Sequence, residues 1–477
     1  MRSLSNAILG AALALLLLPL SASAEKPNIL FLFADDQAFS TIQELGNERI
    51  ETPNLDRLVR SGTTFTHAYN MGSWSGAVCV ASRAMLNSGK FLWRAHKTDL
   101  PAAAEEKVLW SQLMEQAGYD TYFTGKWHVK VDAAKIFSTA EHIRPGMPQQ
   151  TPEGYNRPID GQPDSWDPSD STFGGFWEGG THWTEITAND ALSFLQSASE
   201  SERPFFSYVA FNAPHDPRQS PKEFVDRYPL DSLPLPTNFL SEYPFNEAMK
   251  SGRKLRDEKL APFPRTKNAV LTNLQEYYAI ITHMDHHLGR ILDALEASGK
   301  KDSTYLFFSA DHGLACGEHG LMGKQNMFDH SLRVPLIVVG PGVSSGARNK
   351  SPVYLQDIMA TALDLAGAPR PEHVEFQSLL PALRDPKANV GYEDIYGAYL
   401  DAQRAIIHDH KKLIIYPKVP TAILYDLKAD PQETNNLAHH PKHLSTVKSL
   451  FQRLLALQKN MDDDLDLASL FPAYLDS

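Results

Sequence analysis

The chain has 477 residues, 42% hydrophobic and 21% charged, enough apolar side chain for a large core and unlike a disordered or fibrous protein. Its formal net charge is −12, or −13 without Arg2 of the N-terminal segment (−12 − 1), which argues against general nucleic-acid binding and requires a polyanionic substrate to meet local positive charge. Only Cys79 and Cys316 are available for a disulfide, so there is no disulfide framework.

The chain opens on Met1-Arg2, then an apolar run from Ala7 to Leu20, then Ala22-Ser23-Ala24. A basic start, an apolar middle and small residues at the cut predict a secretory signal peptide over residues 1–24, and hence an exported, periplasmic or secreted protein. A membrane anchor is the alternative, but the run is short of the ~20 residues needed to span, and no later run is longer.

Pro27 to Phe33 is a continuous apolar run ending at Asp35-Asp36, the pattern of a strand covered on both faces in a parallel sheet. Similar runs lie at Phe205–Phe211, Tyr305–Phe308 and Leu336–Val339, with helical segments at Leu109–Ala117, Thr187–Ser197 and Glu276–Ala297. The alternation predicts an α/β fold, a large mixed, mostly parallel sheet flanked by helices, whose ligands sit beyond the carboxyl ends of the strands. Two stretches break the rhythm. Phe137–Trp183 is rich in Pro, Gly and aromatics, and Arg218–Lys267 carries Lys250, Arg253, Lys254, Arg256, Lys259, Arg265 and Lys267. Each residue taken singly reads as surface covering; together they are candidate substrate walls, since aromatic faces suit sugar rings and cations suit sulfate. After Gly367–Pro371 come short β-like runs (Ala405–His408, Lys412–Tyr416, Ala422–Leu427) and a helical pattern over His443–Met461. This divides the mature chain into a catalytic domain, 25–370, and a smaller α+β C-terminal subdomain, 371–477, with an antiparallel sheet and a helix.

The chemistry-bearing residues fall at the predicted strand ends. Asp35 and Asp36 repel unless a cation joins them, and Asp311-His312 follows another apolar strand. Lys126 and His128 follow Tyr122-Phe123-Thr124-Gly125, His215 closes the next strand, and Lys324 lies in a glycine-rich loop. Cys79-Val80-Ala81-Ser82-Arg83 precedes Ala84-Met85-Leu86-Asn87-Ser88-Gly89-Lys90. In a helix beginning there, Cys79 and Arg83 share a face, and the free N–H groups favour an anion.

Motif by motif, these segments resemble the type I, formylglycine-dependent sulfatases of the alkaline-phosphatase-like superfamily. The resemblance runs from Pro27-Asn28-Ile29 to Tyr425-Asp426-Leu427, with Asp430-Pro431, Glu433 and Asn436-Leu437-Ala438 similar to the family's C-terminal signature. It implies that Cys79 is oxidised to formylglycine by a maturation enzyme and that Asp35, Asp36, Asp311 and His312, with the modified Cys79, hold one calcium ion. It also implies that Arg83, Lys126, His128, His215 and Lys324 bind sulfate and move protons. In that scheme an oxygen of the hydrated aldehyde attacks sulfur, His215 with Lys324 protonates the leaving alcohol, and His128 deprotonates the second hydroxyl to expel sulfate. Two residues depart from the common pattern: Ala81 replaces Pro, as in the subset read by radical-type maturing enzymes, and His312 replaces a frequent Asn. Imidazole also suits zinc or manganese. The implied substrate is a sulfated carbohydrate. A phosphonate or phosphodiester hydrolase of the same superfamily and a non-catalytic sulfated-glycan-binding relative remain as alternatives. No Gly-x-Ser-x-Gly, His-Glu-x-x-His, Cys-x-x-Cys or P-loop pattern points elsewhere.

Overall fold

The computed structural model describes residues 25–149 and 151–475; the signal-peptide expectation falls on residues outside these. A 9-stranded sheet forms the centre, in the order Thr63–Tyr69, Leu336–Val339, Thr304–Ala310, Asn28–Ala34, Phe205–Ala210, Asp120–Lys126, Thr139–Arg144, with Arg333–Val334 and Ala347–Tyr354 also paired to Thr63–Tyr69. Asn28–Ala34 lies parallel to both neighbours, and all seven of its residues are buried, as its unbroken apolar run requires.

Side-chain alternation fixes what covers each face. Tyr122 stacks on Phe194 of the helix Trp183–Ser199, whereas the next residue, Phe123, meets Tyr208, which in turn packs against Trp110 of the helix Trp110–Gln116. Successive residues of a strand point to opposite faces, so helices cover both sides.

One expected strand runs the other way. Leu336–Val339 is antiparallel to Thr304–Ala310 rather than parallel. Its apolar run reports burial on two faces, not direction. The connection from Ala310 is a loop with the short helix Asp329–Leu332 and the two-residue strand Arg333–Val334 and no long crossover helix, so the chain returns from the edge at which it left.

A 5-stranded sheet follows, ordered Thr421–Asp426, Lys411–Tyr416, Gln403–His408, Ile395–Tyr399 and Gly72–Ser73, with the helix Leu444–Asn460 packed on it through Val447, Leu450, Phe451 and Leu454. The last strand belongs to the N-terminal part of the chain and pairs parallel with Ile395–Tyr399. Directly after it comes the helix Val78–Ser88, which is buried on two sides. Ala84 and Leu86 enter the core of the large sheet, and Val78, Ala81 and Met85 enter the core of the small one. Gly89, at φ 71°, ends this helix in the left-handed conformation that glycine adopts without strain.

Candidate active site

The carboxyl ends of the parallel strands deliver the charged residues to one place. Asp35 and Asp36 follow Asn28–Ala34, Lys126 closes Asp120–Lys126, His215 follows Phe205–Ala210, and Asp311 follows Thr304–Ala310. Asp36 takes φ 69°, uncommon for a residue with a Cβ. Its amide donates to Asp311 Oδ1 at 3.1 Å and its carbonyl accepts from Tyr277 Oη at 2.6 Å, so this turn is held on both sides. Two carboxylates adjacent in sequence thereby face the same cluster.

Cys79 stands in the first turn of Val78–Ser88, where the N-cap residue Ala77 offers no side chain to the free amides. It is 2% exposed, unpaired, and 3.2 Å from His128 Nδ1. Burial opposes the thiolate, but Lys126, Lys324, His128 and His312 outweigh it and hold the thiol well below its ordinary range. That is the environment of a reactive rather than a structural cysteine. Cys316, by contrast, is buried and pushed up to about 12 by desolvation, against the pull of Arg218, which donates to its sulfur at 3.3 Å.

Arg83 is fully buried one turn beyond Cys79 and does not line the cavity. Its Nε donates to Asp311 Oδ2 at 3.0 Å and its Nη1 to the Lys126 carbonyl at 2.7 Å; Nη2 lies 3.9 Å from Asp35 Oδ1. Lys126 is likewise enclosed, its ammonium on Asp35 Oδ2. Both cations therefore brace the carboxylates from beneath.

Asp35, Cys79, Asp311 and His312 each offer a donor atom within 4.8 Å of the others, and Asp35, Asp36 and His215 form a second such group. Asp35 Oδ1 and His312 Nε2 are buried without a hydrogen-bond partner. Burial and the neighbouring Asp311 raise the Asp35 carboxyl well above its usual range, Lys126 offsetting only part. An added cation would relieve these strains, so the residues fit a divalent ion. Three carboxylates suit a hard metal such as calcium, and replacing the Cys79 sulfur by oxygen would make the set harder still; the His312 nitrogen is the one softer donor.

His215 and Lys324 meet this cluster at Asp36. Lys324 Nζ is 3.0 Å from His215 Nε2 and 2.7 Å from Asp36 Oδ2. Burial would lower the lysine, but Asp36 and Asp257 raise it well above its ordinary value.

A cavity of about 490 Å³ opens onto Cys79, His128, His215 and Lys324, walled by Gly76, Ala77, Pro145–Met147, Leu255–Asp257 and Gln325. Other clefts, of about 440 and 650 Å³, beside Tyr122 and beside Arg94, hold none of these groups, so size alone does not locate the site. The aromatic insert supplies no ring to the wall: Trp166 stacks on Phe173 and Trp183 lies under Arg144, 4.5 Å from its guanidinium carbon. Of the cations named in Arg218–Lys267 only Arg256 lines the cavity, while Arg265 is buried on Glu258 and Lys250 pairs with Asp401. Inward-pointing rings were expected because composition shows that a loop carries aromatics, not which way they turn. Asp216, Asp257, Gln325 and Tyr277 were not singled out; only Asp216, next to His215, had a signal in the sequence.

The family profile described as Sulfatase matches residues 27–368, well over half the chain. The chain belongs to the sulfatase family. It is a sulfuric ester hydrolase, and a second profile, N-sulphoglucosamine sulphohydrolase, C-terminal, matches residues 317–460. Among similar proteins, the N-acetylglucosamine-6-O-sulfatase of Bacteroides thetaiotaomicron is 24% identical, over 94% of this chain and 88% of its own. The arylsulfatase of Clostridium perfringens is 27% identical, over 90% and 94%. A solved structure described as a complex with its substrate D-glucosamine-2-N,6-O-disulfate superposes with a TM-score of 0.72 at 24% identity, covering 93% of this chain and 99% of that one. The phosphonate monoester hydrolase of Agrobacterium radiobacter gives 0.70 at 19%, covering 91% and 96%. These likenesses show the alkaline-phosphatase-like fold for this sulfatase. Among the described residues no helix is long and apolar enough to cross a membrane.

Proposed function

We propose that this sulfatase removes sulfate from a sulfated carbohydrate, with Cys79 matured to formylglycine and one calcium ion held by Asp35, Asp36, Asp311, His312 and residue 79. The observation that carries this reading is the placement of Cys79. It stands at a helix start, 3.2 Å from His128, with its sulfur within 4.8 Å of donor atoms of Asp35, Asp311 and His312, and it lines the same cavity as His215 and Lys324. Calcium would supply charge neutralisation for sulfate and nucleophile, and the hydrated aldehyde an oxygen nucleophile with a second hydroxyl through which sulfate leaves. Arg83 and Lys126 keep Asp35 and Asp311 aimed at the cluster. The Lys324 ammonium, in the cavity wall, meets the sulfate charge. His215 Nε2, directed to the same space, donates a proton to the departing alcohol. His128 is placed to take a proton from an oxygen on residue 79.

Relatives described as an N-acetylglucosamine-6-O-sulfatase and an ulvan-active sulfatase support a carbohydrate substrate. The pattern ending at Ala24 supports export. Residues 25–370 form the catalytic unit on this reading, and 371–477 the smaller subdomain.

Peptide mass spectrometry across Cys79, on protein from its native host, tests the proposal. Loss of the sulfur in favour of an aldehyde or its hydrate is expected. An unmodified thiol in protein that still turns over sulfate esters would overturn it.

A further inference from the structure

The basic insert contributes one arginine to the cavity, and its position is unusual. The Arg256 guanidinium forks between two buried acids, Nη1 on Asp216 Oδ2 at 2.6 Å and Nη2 on Asp257 Oδ1 at 2.5 Å. Each acid leads to one half of the His215–Lys324 pair. Asp216 Oδ1 lies 3.1 Å from His215 Nδ1, and the same nitrogen is 2.8 Å from the Asp216 carbonyl oxygen. Asp257 Oδ2 is 3.9 Å from Lys324 Nζ and accepts from Gln325 Nε2 at 2.7 Å. His215 and Lys324 are themselves 3.0 Å apart. The result is a closed ring in which each acid bridges two bases and His215 meets Lys324 directly, with every member except Arg256 nearly fully buried; the Arg256 side chain is 34% exposed, on the cavity wall.

We infer that the Asp216–Arg256–Asp257 fork is a positioning device for the proton-donating pair, tying the substrate wall to the protonation of the leaving group. An acceptor at Nδ1 keeps the hydrogen there and leaves Nε2 as the nitrogen that faces substrate. When the ester S–O bond breaks, its electron pair passes to the alcohol oxygen, which takes the second proton that the doubly protonated His215 ring carries on Nε2, the Nδ1 hydrogen remaining donated to Asp216, while sulfur bonds to the attacking oxygen of residue 79. Asp216 and Asp257 touch no substrate in this scheme, and Arg256, anchored to both, transmits the fit of the wall to the donor. A bidentate clamp of this kind needs a planar fork, which lysine lacks.

This inference rests on proton donation by His215, and the experiment separates the two. Purified, matured enzyme is assayed with aryl sulfates of decreasing leaving-group acidity, from 4-nitrophenyl to phenyl sulfate, as wild type, His215→Ala, Asp216→Asn, Arg256→Gln and Arg256→Lys. A donor matters most for poor leaving groups and contributes roughly 10²–10⁴-fold. Asp216→Asn and Arg256→Gln should each lose roughly 10–100-fold in kcat on phenyl sulfate, about threefold or less on 4-nitrophenyl sulfate, and little in KM. Arg256→Lys should recover only part of the loss. Uniform loss across the series in both, with His215→Ala keeping its leaving-group dependence, would overturn the fork's role. A flat response of His215→Ala would overturn the donor reading beneath it. Arg256→Gln, at the cavity surface, keeps the test available if Asp216→Asn fails to fold.

Discussion

Replacing Arg83 with Met keeps the volume of a buried side chain while deleting its charge. Two acids then lose a cation: Asp311, 3.0 Å from Nε, and Asp35, 3.9 Å from Nη2; the Lys126 carbonyl loses its donor at 2.7 Å. Leaving a buried charge without its partner costs about 3–5 kcal/mol. With an unfolding entropy of about 2.1 cal/mol/K per residue over roughly 450 described residues, each kcal/mol moves Tm by about 1 °C. Calorimetry in chelator should therefore show Arg83→Met melting roughly 3–5 °C below wild type. Added calcium should narrow the gap, because the ion neutralises the same carboxylates. Activity should fall as well, since the cluster loses its aim. Melting within about 1 °C of wild type in chelator would refute the claim that Arg83 braces these acids.

Calcium at about a hundredfold over its Kd should stabilise the wild type by ~2.7 kcal/mol, a rise of about 3 °C in the same melts, and Asp311→Asn should abolish the rise. Gly146→Ala would place a methyl 2.3–2.7 Å from three atoms of the His128 ring. The ring can swing aside, so steady-state assays should show a lowered kcat with Tm almost unchanged. Asp357 accepts from Tyr354 and Gln377 amides and from Tyr392 Oη, yet burial pushes it up to about 7 from an ordinary 3.8. The folded chain thus keeps a proton that the unfolded chain gives up. That contribution is complete below about pH 4 and is lost as pH rises through 7. In urea-unfolding series Asp357→Asn should flatten the fall in stability between these limits.

What the sequence made legible follows from burial. Asn28–Ala34, Phe205–Ala210 and Thr304–Ala310 are covered on both faces, so their unbroken apolar runs announce them, and the polar residues just after them mark the working edge of the sheet. Thr63–Tyr69 was not predicted, because its threonines carry no such run although it is almost wholly buried. Thr139–Arg144, an edge strand with much of its surface in water, left still less trace inside the aromatic insert. The site divides in the same way. Motif residues sit at strand ends or on one helix, whereas Arg256 reaches Asp216 across 40 positions of irregular chain, and no local pattern encodes such a pairing.

The seat of Cys79 also has a history in time. The helix that carries it rests on one side in the core of the large sheet and on the other in a core that includes Ile406, Ile414 and their neighbours, far later in the chain. Until those later strands arrive, Val78, Ala81 and Met85 have only part of their core, Tyr69, Met71, Leu92 and Ala95 among it, and the helix is held on one side less firmly than in the finished fold. In a chain that has not yet folded, the cysteine therefore lies on an open segment. The finished fold presents only a sulfur at the bottom of a cavity, open to small molecules and closed to proteins.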